Sequence, residues 1–428
     1  MRQVLMVAAF DSQLKWCSRI AAEFARRGFG TRVVAPGGRS ALSPAQIRDV
    51  GLSEVERVSW PQLVDAALAS DVVVCGLAGP LTRDLSFTLS DRLRYRRAPQ
   101  PVVISGWVGV IIEKLVAGYL DRCGSDIVAV NGVADLELFT DAAERLAVPA
   151  DNLLLTGLPF LSADPRPPRP GPIRRVLFAD QPTVPSSARE RLYLYRQLLG
   201  YARAHPDREV LLKPRHRPGE DTFHRMLHHP EDLLGGEPRP ANFRIDYTPI
   251  PEALPQVDLL LTVSSTACLE ALDAGCRVGL VLDLGVHERY GNHVFLDSGL
   301  LRTFRELAGD QIGTSDPGWF RGYFFPRARS SVELLVDRAE DLLATGERPS
   351  RAVWDCAYFT SAADAHRALS PEVSGGRAGG SRYGSAALRR RQRRHGPVRG
   401  TLAHLSSVLV PPILHPPLRS AARHAHVL

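Results

Sequence analysis

The stretch VLMVAAFDSQLKWCSRIAAEFARRGFGTRVVAP, Val4 to Pro36, decides the fold. Val4 to Ala9 is a continuous apolar run of the kind that makes a strand covered on both faces. Trp16, Ile20 and Phe24 then recur at helical spacing between Leu14 and Arg27, Gly28 and Gly30 close the helix, and TRVVAP supplies a second strand. The order predicts a βαβ unit, and a βαβ unit predicts a parallel sheet.

Outward from this unit the pattern repeats. Short apolar runs recur at DVVVCG, PVVISG, DIVAVN and NLLLTG, separated by helix-length segments such as Gly109 to Arg122 and Ala134 to Ala147. SADPRPPRPGP, Ser162 to Pro172, then packs five prolines into eleven residues and fits neither a helix nor a central strand. After it the alternation restarts with RVLFAD, a helix from Ser187 to Ala204, EVLLKP, a helix around Thr222 to His228, FRIDY, DLLLTV, a helix from Thr266 to Ala274, and RVGLVLDL. The expectation is an α/β protein of two Rossmann-like domains, residues 1–161 and 173–370, joined by a linker at 162–172. A ligand cleft is expected between them at the carboxyl ends of the strands.

Residues 371–428 differ in kind. They contain no acidic residue after Glu372 and ten arginines, which exceed the net charge of +7 for the whole chain. The folded body is therefore mildly acidic, and with no RNA-binding aromatic motif it argues against a nucleic-acid partner. The tail reads as flexible, with a cationic block at RRRQRRH and an apolar, proline-broken segment after it. Six scattered cysteines without a CxxC pair suggest neither a zinc site nor a disulfide framework, which fits a reducing cytoplasm. The first apolar run is too short for a signal peptide, and no run approaches the roughly 20 residues of a membrane span.

Two elements carry chemistry. In DLLLTVSSTACLEALDAG, Asp258 to Gly275, an apolar strand runs into Ser264, Ser265 and Thr266, where a helix begins. Free N–H groups and hydroxyls there suit an anion such as phosphate, and they suit ordinary helix capping equally. Glu270, four residues after Thr266, is in position to reach a ribose hydroxyl or to be a solvated helix residue. In LLKPRHRPGED, Leu211 to Asp221, one of only three lysines, Lys213, stands with Arg215 and His216 at another strand end of the same half. Alone this reads as a basic loop; facing the serine turn it makes a phosphate site, with His216 as an acid for the departing group.

The second half resembles the donor-binding domain of GT-B glycosyltransferases. The residues that carry the resemblance are the proline-rich crossover after LLLTGLP, the Lys-Pro-x-His element and the pattern V-S-S-T-x-x-x-E-A-L-x-x-G. The histidine and serine elements are similar to those of bacterial sialyltransferases and Kdo transferases, which use CMP-sugars. That likeness implies nucleotide or phosphate contacts for His216, Ser264, Ser265 and Thr266, although Arg217 separates the histidine from Pro218. Through FADQPTVP, KPRHRPGE and GYLDRCGSDIVAVN the chain also resembles, over roughly residues 1 to 365, bacterial proteins classed as glycosyltransferases with no assigned substrate.

The first half would then hold the acceptor and a base. Asp11, just past the first strand, has the type and place for a base and equally for a helix N-cap. Glu113 and Asp121 are weaker candidates, as are His287, Asn292 and His293 after RVGLVLDL. Gln181 stands at the first strand end of the second half, in reach of a donor or acceptor hydroxyl.

No D-x-D carboxylate pair is present, so metal independence is expected, and the nucleotide-sugar would be a substrate with no cofactor required. The expected partners are that donor and a glycan or lipid-linked acceptor. A CDP-alcohol phosphotransferase, a nucleotide-sugar epimerase and a non-catalytic nucleotide or nucleic-acid binder are the alternatives.

The arginine block from Arg389 to Arg394 suits an anionic membrane surface, each cation contributing about 1 kcal/mol, and the tail reads equally as a disordered, soluble extension or as a docking strap against the first domain. The full chain should float with anionic liposomes at low salt, come off as salt rises, and lose binding when cut after Pro371. Equal flotation of the full and cut chains would rule out the tail as an anchor.

Overall fold

The computed structural model describes residues 1–94, 99–112, 115–220 and 226–369. Three expectations lie outside these residues in whole or part: the tail at residues 371–428, Glu113, and the segment 221–225 of the helix expected around Thr222.

Two parallel sheets carry the molecule. The first contains β1 (Gln3–Ala8), β2 (Gly30–Pro36), β3 (Glu56–Val58), β4 (Val72–Gly76), β5 (Val102–Gly106), β6 (Ile127–Val130) and β7 (Leu153–Leu155), in the order β3-β2-β1-β4-β5-β6-β7. The second contains β8 (Arg175–Ala179), β9 (Glu209–Lys213), β10 (Phe243–Ile245), β11 (Leu259–Thr262), β12 (Arg277–Val281) and β13 (Leu301–Arg302), in the order β10-β9-β8-β11-β12-β13. Every pairing is parallel. Strand order reverses beside β1 in the first sheet and beside β8 in the second, so each lobe has its crevice at the carboxyl end of its own first strand.

The apolar runs are continuous because both faces are covered. On β1, Val4, Met6 and Ala8 pack against Leu14, Ile20 and Phe24 of the helix Asp11–Arg26, while Leu5, Val7 and, just past the strand, Ala9 pack against Leu63, Val64 and Ala67 on the other face. Val176 and Phe178 of β8 face one core of the second lobe, and Leu177 and Ala179 face the other. The helix Asp11–Arg26 ends where Gly28 adopts φ +84°, a left-handed conformation that costs glycine little.

The proline-rich segment is a linker that is strapped down. The Arg169 guanidinium donates to the carbonyls of Leu254, Pro255, Val257 and Ala274, and the Arg166 and Arg169 backbone N–H groups bond Asp273 and Gly275. The prolines lack donors, so these side-chain and flanking bonds hold the segment on the second lobe.

The chain then crosses back. Arg327 donates to the carbonyls of Thr156, Leu161 and Ser162, and the helix Ser331–Thr345 places Leu335, Val336, Ala339 and Leu342 in the first lobe's core. Arg27 pairs with Asp337 and Glu340 at the rim of this contact. Ser350 donates to buried Asp126 at 2.7 Å, and Trp354 Nε1 donates to the Gly124 carbonyl at 2.9 Å. Residues 331–369 therefore pack with the first lobe, whereas the sequence reading carried them with the second. Their apolar stripe has the same period whichever lobe receives it.

Leu335 is fully buried, so Leu335→Ala should destabilise the protein by about 2–5 kcal/mol. Urea unfolding checks this; an unchanged midpoint would mean that the returning helix contributes nothing to the first lobe.

Candidate active site

The site is assembled from three strand ends of the second lobe and one helix of the first. At the end of β8, Asp180 is buried and accepts from both Arg191 and the Tyr195 hydroxyl. It also accepts from the Gln181 backbone N–H, which fixes the direction of that residue. The Gln181 Oε1 takes the Ser264 N–H at 2.9 Å, and its Nε2 donates to Ser264 Oγ at 3.2 Å. Ser264 Oγ donates in turn to the Tyr290 carbonyl.

Ser264 is thus a buried joint between β8, β11 and the loop after β12. Its two neighbours do other things. Ser265 Oγ accepts from the Ala267 N–H at 3.2 Å, closing a local turn that leads into the short helix Ala267–Asp273, and Thr266 Oγ1 accepts the Val110 N–H of the first lobe at 3.1 Å. Both use their oxygen as acceptor, so each retains an O–H to donate. The first-lobe loop that meets Thr266 is held by Asn131, whose amide donates to the carbonyls of Trp107 and Gly109. A Cβ on Gly109 would lie 2.7 Å from Thr266 Oγ1, so only glycine lets the lobes approach this closely.

At the end of β9 stands Lys213, 8% exposed. Among the described residues its ammonium has one hydrogen bond, to the adjacent Pro214 carbonyl at 3.4 Å, and no carboxylate in contact. Burial, reinforced by the charges of Lys15 and Arg215 and offset only in part by Asp246 and Asp49, brings its pKa down to about 8. Arg215 reaches across to the first lobe and donates to both Asp11 oxygens, at 2.8 and 2.9 Å.

Burial pushes the Asp11 carboxyl up, but Arg215, Lys15 and the Ser12 backbone outweigh it and hold the group below the usual carboxylate range. Asp11 begins its helix without capping it: the N-cap is Phe10 and no side-chain cap bond forms. Burial raises the pKa of Glu270, opposed by Lys15 and Arg19. Asp11, Lys15 and Arg19 are four residues apart, so one face of the first helix confronts Lys213, Arg215 and Glu270.

His216 lies apart from this chemistry. It is buried, its Nδ1 is 3.0 Å from the Arg217 carbonyl, and its Nε2 accepts the Met226 N–H. Both ring nitrogens are committed to the backbone of its own loop, which makes His216 a clamp in this arrangement. Asp121 pairs with Arg83, and Asn292 ties the His287 N–H to the Gly285 carbonyl, so these are loop-forming contacts. Among the described residues, no group of three or more His, Cys, Asp or Glu side chains is placed to hold a metal ion.

Lys15 and Arg19 were missed by the sequence reading, though their spacing from Asp11 marked them. Asp180, Arg191 and Tyr195 were also missed; Asp180 in FADQ was the available signal.

The depressed pKa of Lys213 has a sign that can be measured. The folded chain releases this proton near pH 8 and the unfolded chain only near 10.5, so stability should rise with pH between those values. Lys213→Met should already show that gain at pH 7, on the order of 3 kcal/mol at most. Urea unfolding of both proteins at several pH values tests this; parallel stability curves would mean that Lys213 is not a strained cation.

Comparisons with known proteins agree with the fold. The UDP-GlcNAc 2-epimerase from Neisseria meningitidis, a structure bound to UDP-GlcNAc, is similar with a TM-score of 0.51 at 10% identity, covering 79% of this chain and 100% of that one. The spinosyn forosaminyltransferase SpnP is similar with a TM-score of 0.49 at 15% identity, covering 80% of this chain and 99% of that one. The UDP-GlcNAc 2-epimerase from Methanocaldococcus jannaschii gives a TM-score of 0.49 at 9% identity, covering 79% and 100%. No curated protein matches the sequence. A family model does match, over residues 4–342, and by that match the chain belongs to the family described as "Putative glycosyltransferase (DUF6716)".

Proposed function

We propose that the protein transfers a sugar from a nucleoside diphosphate donor to a hydroxyl of a glycan or lipid-linked acceptor. One observation carries the reading: among the described residues Lys213 is a buried cation without a carboxylate in contact, at a strand end beside the crevice, where Lys15 and Arg215 add positive charge that Asp246 and Asp49 offset only in part. An ammonium in that position is costly until an anion joins it. Membership of the glycosyltransferase family and a fold shared with a protein bound to UDP-GlcNAc support the choice of a nucleotide-sugar.

In the proposed reaction the acceptor oxygen attacks the anomeric carbon and gives its proton to the Asp11 carboxylate. The bond from that carbon to the phosphate oxygen breaks, and the oxygen keeps the electron pair. Lys213, Arg215 and Lys15 receive the charge that develops on the departing diphosphate. The O–H groups of Ser265 and Thr266 are available to the same phosphates. Glu270 remains the candidate for a ribose hydroxyl, and Gln181 acts by holding Ser264. Three cations suit a diphosphate better than a monophosphate. The CMP-sugar reading loses its main support with His216 bonded to backbone.

Calorimetry of the full chain with UDP, GDP, dTDP, CDP and CMP tests the reading. At least one diphosphate should bind, and Lys213→Met should weaken it by about 1.5–3 kcal/mol, the worth of a charge-assisted hydrogen bond. In the wild type, affinity should fall toward tenfold per pH unit above about 8, as Lys213 loses its proton. No binding of any nucleotide would overturn the proposal. Isomerisation of the sugar nucleotide without acceptor would replace it with an epimerase.

A further inference from the structure

The pair between Asp11 and Arg215 joins residues 204 positions apart and spans the two lobes. Resting on the reading of the cleft as a nucleotide-sugar site, we propose that Arg215 serves two partners in turn. It pairs with Asp11 as seen here, and it leaves Asp11 for the donor's phosphates, so the base is released only when the donor is bound. The pair is then a latch that imposes an order, donor before acceptor.

Four features support the exchange. Asp11 sits at the fixed start of a helix packed on β1, whereas Arg215 belongs to the loop after β9 and its side chain is 38% exposed, so the arginine is the partner free to move. Both bonds to Asp11 come from the single nitrogen Nη2, a fork that leaves the guanidinium's parallel donor edge unused for this carboxylate. Lys213, two residues earlier, has no carboxylate in contact among the described residues, so a diphosphate arriving at Lys213 comes up beside Arg215 with more charge than one carboxylate. Lys15 remains beside Asp11 after the exchange and keeps that carboxylate from standing alone.

The chemical consequence is a gate on proton abstraction. While Arg215 is paired with Asp11, the carboxylate is held in its ionised form and is a poor proton acceptor. Once Arg215 turns to phosphate, burial acts on Asp11 with less opposition and its basicity rises. The acceptor hydroxyl, or an intruding water, therefore meets an active base only in the presence of donor.

A double-mutant cycle on the full chain tests the latch. Binding of inorganic pyrophosphate and of UDP is measured at low salt for wild type, Asp11→Asn, Arg215→Met and the double variant, with Asp11→Ala beside Asp11→Asn because asparagine is able to keep one bond to Arg215. Freeing Arg215 should tighten pyrophosphate by up to about fivefold, the range of a partly exposed ion pair. The gain should vanish in the Arg215→Met background.

Weaker or unchanged binding in both Asp11 variants would overturn the latch, making Asp11 a residue that merely positions Arg215 or has no part in binding. A gain that persists without Arg215 would overturn it too, as an effect of net charge alone. In either case, wild-type binding of the probes would leave the donor site standing. Failure of the wild type to bind either probe would remove both the donor site and the latch.

Discussion

Parallel strands cannot be joined by tight turns, so each must be followed by a crossover that returns the chain to the same end of the sheet. That constraint, applied twice, gathers every strand's carboxyl end of a lobe at one edge. In both sheets the order of strands reverses beside the first strand of the lobe, which parts the neighbouring crossovers and opens a crevice there. Asp11 follows β1, Gln181 follows β8, Lys213 is the last residue of β9 and Ser264 follows β11, so the candidate site residues stand at strand ends whose place is set by topology.

Within this frame the second lobe holds its charges in two different ways. Asp180 and Arg191 are both buried, and the carboxylate also takes the Tyr195 hydroxyl and the Gln181 N–H. A buried pair so fully bonded adds little net stability but fixes one arrangement, because removing either partner strands the other charge. Lys213 is the contrary case: among the described residues it has one weak bond, to a carbonyl, and Asp246 and Asp49 offset burial and the nearby cations only in part. The satisfied network orients the loops, whereas the lysine keeps donors to spare, which is why the proposed donor site is built on it.

Much of this was legible in the sequence. The strand runs were visible wherever burial on both faces made them continuously apolar; β3 and β13, three and two residues long, were too short to show. The linker stood out because proline excludes helix and central strand alike. Lys213 and Arg215 were recognisable from the density of charge after an apolar run. Their partners were not, since nothing local in AAFDSQ indicates that Asp11 meets an arginine of the other lobe. The same limit applies to the Ser-Ser-Thr turn, where three adjacent hydroxyls serve an internal joint, a local turn and a contact between lobes. His216 illustrates the converse: its composition suggested chemistry, but its ring is spent on backbone groups that only the folded loop brings within reach.

The chain passes between the lobes twice, in the strapped linker after β7 and again at Arg327, which bonds carbonyls at the start of that linker. Two adjacent tethers act as a door's hinge pin, permitting rotation about themselves and resisting translation. Since β7 is the edge strand and β1 lies four strands away, Asp11 stands roughly 19 Å from the pin at about 4.8 Å per strand. Swinging the lobes by only about 10° would carry Asp11 roughly 3 Å, comparable to the whole length of an ion pair. A lever of that length turns a slight angular change at the proline-rich edge into the making or breaking of a contact on the far side.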